Sequence, residues 1–175
     1  MTLPALQDWR DFYVMIGTAS GAIVGATFVV ATLASGLEKR AIGLRGFITP
    51  TTVHLGSVLV GSAVLAAPTL SALVLAILLG SGALAGVVYG VVIWTRITRL
   101  NIDLIDRFWY GVLPIVSFAL LGVACWLVLK NIGPGLELVA LALVLLLIAG
   151  MRNAWDMATF MILGGPNPPD ADKKD

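Results

Sequence analysis

The sequence has too few charged residues to cover the surface of a soluble domain. Charged residues make up 12% of its 175 residues, whereas soluble domains contain roughly 25%. Apolar residues make up 59%, and the mean hydropathy is +0.98. Residues 46–95 contain no Asp, Glu, Lys or Arg at all. The composition therefore predicts a membrane protein whose main solvent is lipid.

Histidine and cysteine are almost absent. His54 is the single histidine, and Cys125 is the single cysteine. One of each is too few for a zinc or iron–sulfur site within one chain, and Cys125 lies inside an apolar run, which is typical of a packing residue. The net charge is +1 and the basic residues form no dense patch, unlike a nucleic-acid-binding surface. We therefore expect no metal, no cofactor and no nucleic-acid partner.

The apolar runs predict an all-α bundle of five transmembrane helices. A bilayer needs about 20 apolar residues per helix, and the uncharged stretch at 46–95 would reach about 75 Å as one helix, so it must fold back. Pro68 is its best break. The predicted spans cover residues 12–37, 50–67, 70–95, 108–129 and 136–163. They form one domain, residues 1–165, followed by a disordered polar tail at 166–175.

Smaller signals predict how the spans begin and how they are joined. Thr49 and Pro50 have the residue types of an N-cap and a first helical residue for the second span. Pro114 predicts a kink in the fourth span. Residues 131–135 predict a turn between the last two spans. Residues 101–107 alternate between apolar and polar types, which predicts a stretch lying on the membrane surface.

The basic residues are unevenly divided between the two sides of the membrane. Nine of the eleven fall on one side: Lys39, Arg40, Arg45, Arg96, Arg99, Arg107, Arg152, Lys173 and Lys174. Arg10 and Lys130 fall on the other side. Because basic residues near span ends stay on the cytoplasmic face, we expect the N-terminus outside and the C-terminus in the cytoplasm.

Two stripes of glycine lie on the first and third spans. Their members are Gly17, Gly21 and Gly25, and Gly82, Gly86 and Gly90. Residues four apart share a helix face, and faces of small residues let helices approach closely in lipid. Two interpretations stay open. Either the stripes pack within one bundle, against each other or against Ser57 and Gly61 of the second span, or at least one stripe is a seam between subunits.

A group of polar residues is predicted at the cytoplasmic ends of the second, fourth and fifth spans. Its members are His54, Tyr110, Arg152, Asn153 and Asp156. Charges at this depth are costly and usually face protein or water, so we expect Asp156 to contact His54, Arg152 or Tyr110. Three interpretations stay open: a hydrogen-bonded clamp that ties helix ends together, a proton-sensitive gate or ligand site, and a catalytic site.

Short motifs in four of the five spans give the chain a resemblance to a known group. The motifs are Trp9-Arg10-Asp11-Phe12-Tyr13 leading into Gly17-Thr18-Ala19-Ser20-Gly21-Ala22, Thr49-Pro50-Thr51-Thr52-Val53-His54, Trp109-Tyr110 with Leu113-Pro114, and Asn153-Ala154-Trp155-Asp156. In these motifs the chain resembles small bacterial five-span integral membrane proteins, some of which carry the label modulator of FtsH protease. The resemblance implies a bacterial inner-membrane protein and implies no particular chemistry.

Together these features favour a non-enzymatic protein of the bacterial inner membrane that acts through helix–helix contacts. Such a protein is an oligomeric scaffold, or an accessory or regulatory subunit of a larger membrane complex, with membrane lipid around it. The alternative is a small homo-oligomeric channel or transporter gated at the cytoplasmic leaflet by His54 and Asp156. The scarcity of charge within the spans argues against an ion-coupled transporter, but a channel can be lined by small residues and backbone.

Overall fold

The computed structural model describes residues 4–35, 38–68, 70–98 and 103–163. Within these ranges the chain is helical and contains no strand, so the predicted all-α class is confirmed. The helices are α1 (Pro4–Asp8), α2 (Arg10–Ser35), α3 (Glu38–Ala66), α4 (Ala72–Ile97), α5 (Leu104–Arg107), α6 (Leu113–Leu129) and α7 (Gly135–Leu163), with a π-helical segment at Phe108–Val112 between α5 and α6. The predicted tail at 166–175 lies outside the described residues.

Five helices of the described ranges are long and apolar enough to cross a membrane, as predicted. Their candidate spans are Arg10–Leu33, Thr49–Ala66, Ala72–Ile97, Leu104–Leu129 and Gly135–Thr159. Successive spans run in opposite directions. We call the end of the bundle where α2 begins the N-terminal face, and the end where the Gly135–Thr159 span finishes the C-terminal face.

The centre of the bundle is formed by α3, α6 and α7. Helix α7 packs against both α3 and α6, while α2 packs on α3 and α4 packs on α6. Fully or almost fully buried apolar side chains fill the centre: Val58, Leu65, Phe118, Val139, Leu143 and Leu146. Helices α3 and α4 are consecutive in the chain but touch far less than these pairs do. As a result, α2 and α4 lie at the two sides of the bundle and leave much of their surface open.

The chain reverses after α6 through a left-handed residue. Asn131 has a φ of 54°, a conformation that asparagine tolerates better than most residues. The Ile132 N–H then donates to the Leu127 carbonyl at 3.0 Å, which satisfies a carbonyl at the end of the helix. A Cβ at Gly135 would lie 2.8 Å from Cγ2 of Val128. The predicted turn at 131–135 is therefore confirmed, and it needs glycine at its last position.

The helix start predicted at Thr49 and Pro50 is wrong, although the candidate span itself begins at Thr49, next to the predicted residue 50. Helix α3 begins at Glu38 and passes through Pro50, so Thr49 and Pro50 are not its N-cap and first residue. Proline removes one backbone donor and crowds the carbonyl four residues earlier, and a long helix accommodates both effects by bending. The same two residue types therefore occur both at a helix start and within a helix.

The stretch predicted to lie on the membrane surface continues into the fourth span instead. Residues 101–102 of this stretch lie outside the described residues. Leu104–Arg107 forms α5, and the Phe108 N–H donates to the carbonyls of Leu104 and Ile105. Because the backbone hydrogen bonds continue into the π-helical segment, α5 is the first turn of the fourth membrane helix.

The glycine stripe of α4 packs partly on α6. A Cβ at Gly86 would overlap the ring of Phe118, and a Cβ at Gly90 would lie 2.6 Å from Cγ1 of Ile115. A Cβ at Gly82 would meet no heavy atom within 4 Å. Two glycines of this stripe thus lie in a close contact within the chain, and the third lies at open surface.

The glycine stripe of α2 packs partly on α3. A Cβ at Gly17 would lie 2.9 Å from Cβ of Ser62, and a Cβ at Gly21 would lie 3.7 Å from Cδ1 of Leu59. A Cβ at Gly25 would meet nothing within 4 Å. Of the alternatives left open, packing of the two stripes against each other is wrong, because α2 and α4 pack on different helices of the central group.

Candidate functional site

A π-helical segment presents the aromatic residues at the start of the fourth span. It covers Phe108–Val112 and ends two residues before Pro114, which has no N–H to offer the carbonyl four residues earlier. A Cβ at Gly111 would lie 2.5 Å from the ring of Trp94, so this segment sits close against α4. Its residues Trp109 and Tyr110 reach α7. Single π turns of this kind are frequent at functional sites.

Asp156 of α7 joins the fourth and fifth spans. Its Oδ2 accepts a hydrogen bond from the Tyr110 hydroxyl and a second one from Nε of Arg152 at 3.1 Å. The Arg152 guanidinium carbon also lies 6.0 Å from the ring centroid of Trp109. The side chains of Arg152 and Asp156 are 44% and 21% exposed, so this ion pair lies at the surface of the bundle. The prediction that Asp156 contacts at least one of His54, Arg152 and Tyr110 is confirmed by its bonds with Tyr110 and Arg152.

His54 and Asn153 form a separate, buried pair between α3 and α7. Their exposed fractions are 2% and 1%, and Nδ2 of Asn153 lies 3.4 Å from Nδ1 of His54. The imidazole also lies 6.3 Å, centroid to centroid, from the ring of Phe118. The five predicted residues are therefore brought to one end of the bundle but divide into two groups, because Asn153 and Asp156 are not on the same side of α7. Asn153 faces α3, and Asp156 faces the π-helical segment.

Buried hydroxyl groups tie α2 to the rest of the bundle through hydrogen bonds that the sequence does not predict. Ser20 is fully buried and donates to the carbonyl of Leu55 at 2.7 Å, next to His54 in the chain. Tyr13 is fully buried and donates to the carbonyl of Leu136 at 3.0 Å. Both acceptors are backbone carbonyls, which every residue has, so no residue type in the sequence marks them as partners. The one feature of the sequence that could indicate these bonds is a hydroxyl residue within or beside a stripe of small residues.

Packed apolar side chains lie between the polar residues and the N-terminal face. Val58 and Leu65 continue α3 beyond His54, and Leu146, Leu143 and Val139 continue α7 beyond Asn153, each at most 1% exposed. The described part of the chain also brings together no three His, Cys, Asp or Glu residues that could hold a metal ion.

A cleft opens between α3 and α4, with α6 as its back wall. Its volume is about 470 Å³, and Phe118 lies at its back. A Cβ at Gly61 of α3 would lie 3.6 Å from Cδ2 of Leu79 on α4. At Gly56 and Gly82, which lie further from the turn that joins the two helices, a Cβ would meet nothing within 4 Å. The two helices thus diverge from this turn towards the C-terminal face.

The surface of the cleft is mostly apolar, and Thr52 and Ser57 are its hydroxyl residues. Ser57 lines it, but its hydroxyl already donates to the carbonyl of Val53 at 2.7 Å. Gly56, Gly61 and Gly82 leave backbone accessible there. The cleft thus offers mainly shape and close backbone approach, and Thr52 adds one hydroxyl group to its lining.

Comparison of the chain with protein-family models, with curated proteins and with solved structures finds no match. Its function is therefore inferred from its own residues.

Proposed function

We propose that this chain is a non-enzymatic integral protein of the bacterial inner membrane that acts through helix–helix contacts. In this role it is an oligomeric scaffold, or an accessory or regulatory subunit of a larger membrane complex. Its N-terminus lies outside and its C-terminus in the cytoplasm, which is the orientation that the uneven distribution of basic residues favours.

The observation that carries the proposal is the cleft between α3 and α4. In lipid, helices associate through close packing of small residues, because no hydrophobic force pushes them together. Gly56, Gly61 and Gly82 line the cleft, and two of them have open space where a side chain would be. A helix of a second chain that entered the cleft would gain contacts with exposed backbone that flexible lipid chains make less well.

The polar residues support the same function by holding the walls of the cleft. His54 and Asn153 join α3 to α7, and Tyr110 and Asp156 join the start of the fourth span to α7. One wall and the back of the cleft are therefore both fixed to α7. Of the three interpretations of the polar group, this role corresponds to the hydrogen-bonded clamp.

The packed centre of the bundle argues against conduction through one copy of the chain. Val139, Leu143 and Leu146 are completely buried beneath the polar residues. A channel of the kind considered as the alternative would therefore have its pore between copies, and it too would require helix–helix contacts between chains.

The test is to fill the cleft without disturbing the single chain. Gly56→Leu and Gly82→Leu each add a side chain where a Cβ meets nothing within 4 Å, so we expect both variants to fold normally. We also expect both to lose the oligomer, or the co-purifying subunit, that wild-type protein retains in nanodiscs. Native mass spectrometry measures the assembly, and thermal unfolding measures the fold.

Gly25→Leu is the matched control for these variants. A Cβ at Gly25 also meets open space, but this residue lies on α2 and away from the cleft. We expect its assembly to equal that of the wild type. A wild-type protein that is monomeric and purifies alone from native membranes would contradict the proposal, as would normal assembly of both cleft variants.

A further inference from the structure

Arg152 uses only part of its guanidinium group within the chain. Its Nε donates to Oδ2 of Asp156 at 3.1 Å, and no described residue bonds to Nη1 or Nη2. The side chain is 44% exposed. Guanidinium carries five N–H donors in a planar fork, and four of them belong to the two Nη atoms. The two Nη atoms of Arg152 are therefore available to bind a group outside the described residues.

The guanidinium group is held in place before any ligand arrives. Asp156 fixes its Nε, and Tyr110 holds the same carboxylate oxygen from the neighbouring span. The ring of Trp109 lies 6.0 Å from the guanidinium carbon, within the range of a cation–π contact. A cation ordered in this way loses less conformational freedom on binding than a free side chain does.

The position of Arg152 along α7 places its guanidinium at the level of lipid headgroups. The rise from Gly135, where α7 begins, to Arg152 is about 26 Å, close to the roughly 30 Å thickness of a hydrocarbon core. Trp155 lies less than one turn further on and is 70% exposed. Tryptophan concentrates at the boundary between lipid and water, which agrees with this depth.

We propose that Arg152 and Trp109 form a binding site for the phosphodiester group of a membrane phospholipid. The two Nη atoms match two phosphate oxygens in a forked, charge-assisted pair, while the Trp109 ring packs beside the glycerol backbone of the lipid. Arg96 and Arg107 lie at the same end of the bundle, where Asp103 and Asp106 balance their charge. Phosphatidylglycerol carries no choline cation that the guanidinium group would repel, so it binds more tightly than phosphatidylcholine.

The experiment titrates delipidated full-length protein in detergent micelles with phosphatidylglycerol or with phosphatidylcholine, and counts bound lipid by native mass spectrometry. For Arg152→Gln we expect binding of phosphatidylglycerol to weaken about tenfold or more, the loss typical of a charge-assisted pair. Arg152→Lys keeps the charge without the fork and should fall between this variant and the wild type. Arg10→Gln, a change at the opposite face, should bind like the wild type.

Thermal unfolding of each variant separates a lost site from a lost fold. If Arg152→Gln does not fold, Trp109→Leu tests the same site, because it removes the ring and keeps the arginine; the expected loss is then several-fold. Wild-type lipid affinity in the folded site variants overturns the proposal, and so does an equal loss in Arg10→Gln. Inorganic phosphate that competes as strongly as phosphatidylglycerol would assign the site to a free anion and would also overturn the lipid proposal.

Discussion

Oδ2 of Asp156 accepts two hydrogen bonds that contribute unequally to the stability of the fold. Arg152 lies one turn earlier on the same helix and is 44% exposed, and exposed pairs of this kind contribute at most about 1 kcal/mol. Tyr110 comes from another span and is partly buried. Its hydroxyl donates to a carboxylate, which is a stronger class of hydrogen bond. The bond from Tyr110 therefore contributes more to the fold than the ion pair does.

Tyr110→Phe tests this bond by removing one hydroxyl group and keeping the ring. We expect the free energy of unfolding to fall by about 1–2 kcal/mol, because Asp156 loses its donor from the neighbouring span. The matched control is Tyr89→Phe. The Tyr89 hydroxyl is buried and has no hydrogen-bond partner among the described residues, so its loss should be neutral or slightly stabilising. Denaturant unfolding in detergent measures both, and equal effects would contradict the interhelical role of Tyr110.

The predicted polar group also shows what sequence can say about single residues. The positions of His54 and Asp156 along their helices correctly indicate that both lie near one end of the bundle. Sequence alone does not give the rotation of each helix about its axis. That rotation pairs His54 with Asn153 in the interior and leaves Asp156 at the surface with Tyr110, so one predicted cluster becomes two.

Among the helices, α4 depends on α6 for its position. It meets α6 through Gly86 and Gly90, and it diverges from α3 beyond Gly61. A helix attached mainly along one face is sensitive to any added volume on that face, because packed interiors relax only partly around an extra methyl group. The same helix tolerates added volume at Gly82, where the space is open.

Gly86→Ala and Gly82→Ala make the same chemical change four residues apart on α4. We expect Gly86→Ala to lower the free energy of unfolding by about 1–3 kcal/mol, because its methyl group overlaps the Phe118 ring. Gly82→Ala should be neutral or stabilising by a few tenths of a kcal/mol, since alanine restricts the unfolded chain more than glycine does. Thermal unfolding in one detergent compares the two, and a larger loss for Gly82→Ala would show that α4 packs differently.

At the scale of the whole molecule, five spans could be predicted because a bilayer imposes a length on each helix. The uncharged stretch at 46–95 has to fold back, and Pro68 marks where it does. The partners of the glycine stripes could not be predicted. Gly82 and Gly86 have the same place in the sequence pattern, but only Gly86 packs on a neighbour. A small-residue face looks the same in sequence whether its partner lies in the same chain or in another.

The proposed orientation is a prediction about the whole chain. A fluorescent protein fused to the C-terminus should fluoresce in the cytoplasm, and alkaline phosphatase fused at the same position should be inactive. Both results follow from the nine basic residues on one side against two on the other. An active phosphatase fusion would place the C-terminus outside and reverse the two faces.

The most direct test of the central claim asks which surface of the protein touches another protein in native membranes. A photo-crosslinking amino acid replaces Leu78, which lines the cleft, or Val88, which is 57% exposed on the same helix and does not line it. After illumination, we expect the Leu78 position to yield a covalent adduct with one defined protein, identified by mass spectrometry as a second copy of the chain or as one other membrane protein. The Val88 position should yield adducts with lipid. Protein adducts at Val88 alone, or lipid adducts at both positions, would contradict the claim that this chain works through helix contacts at its cleft.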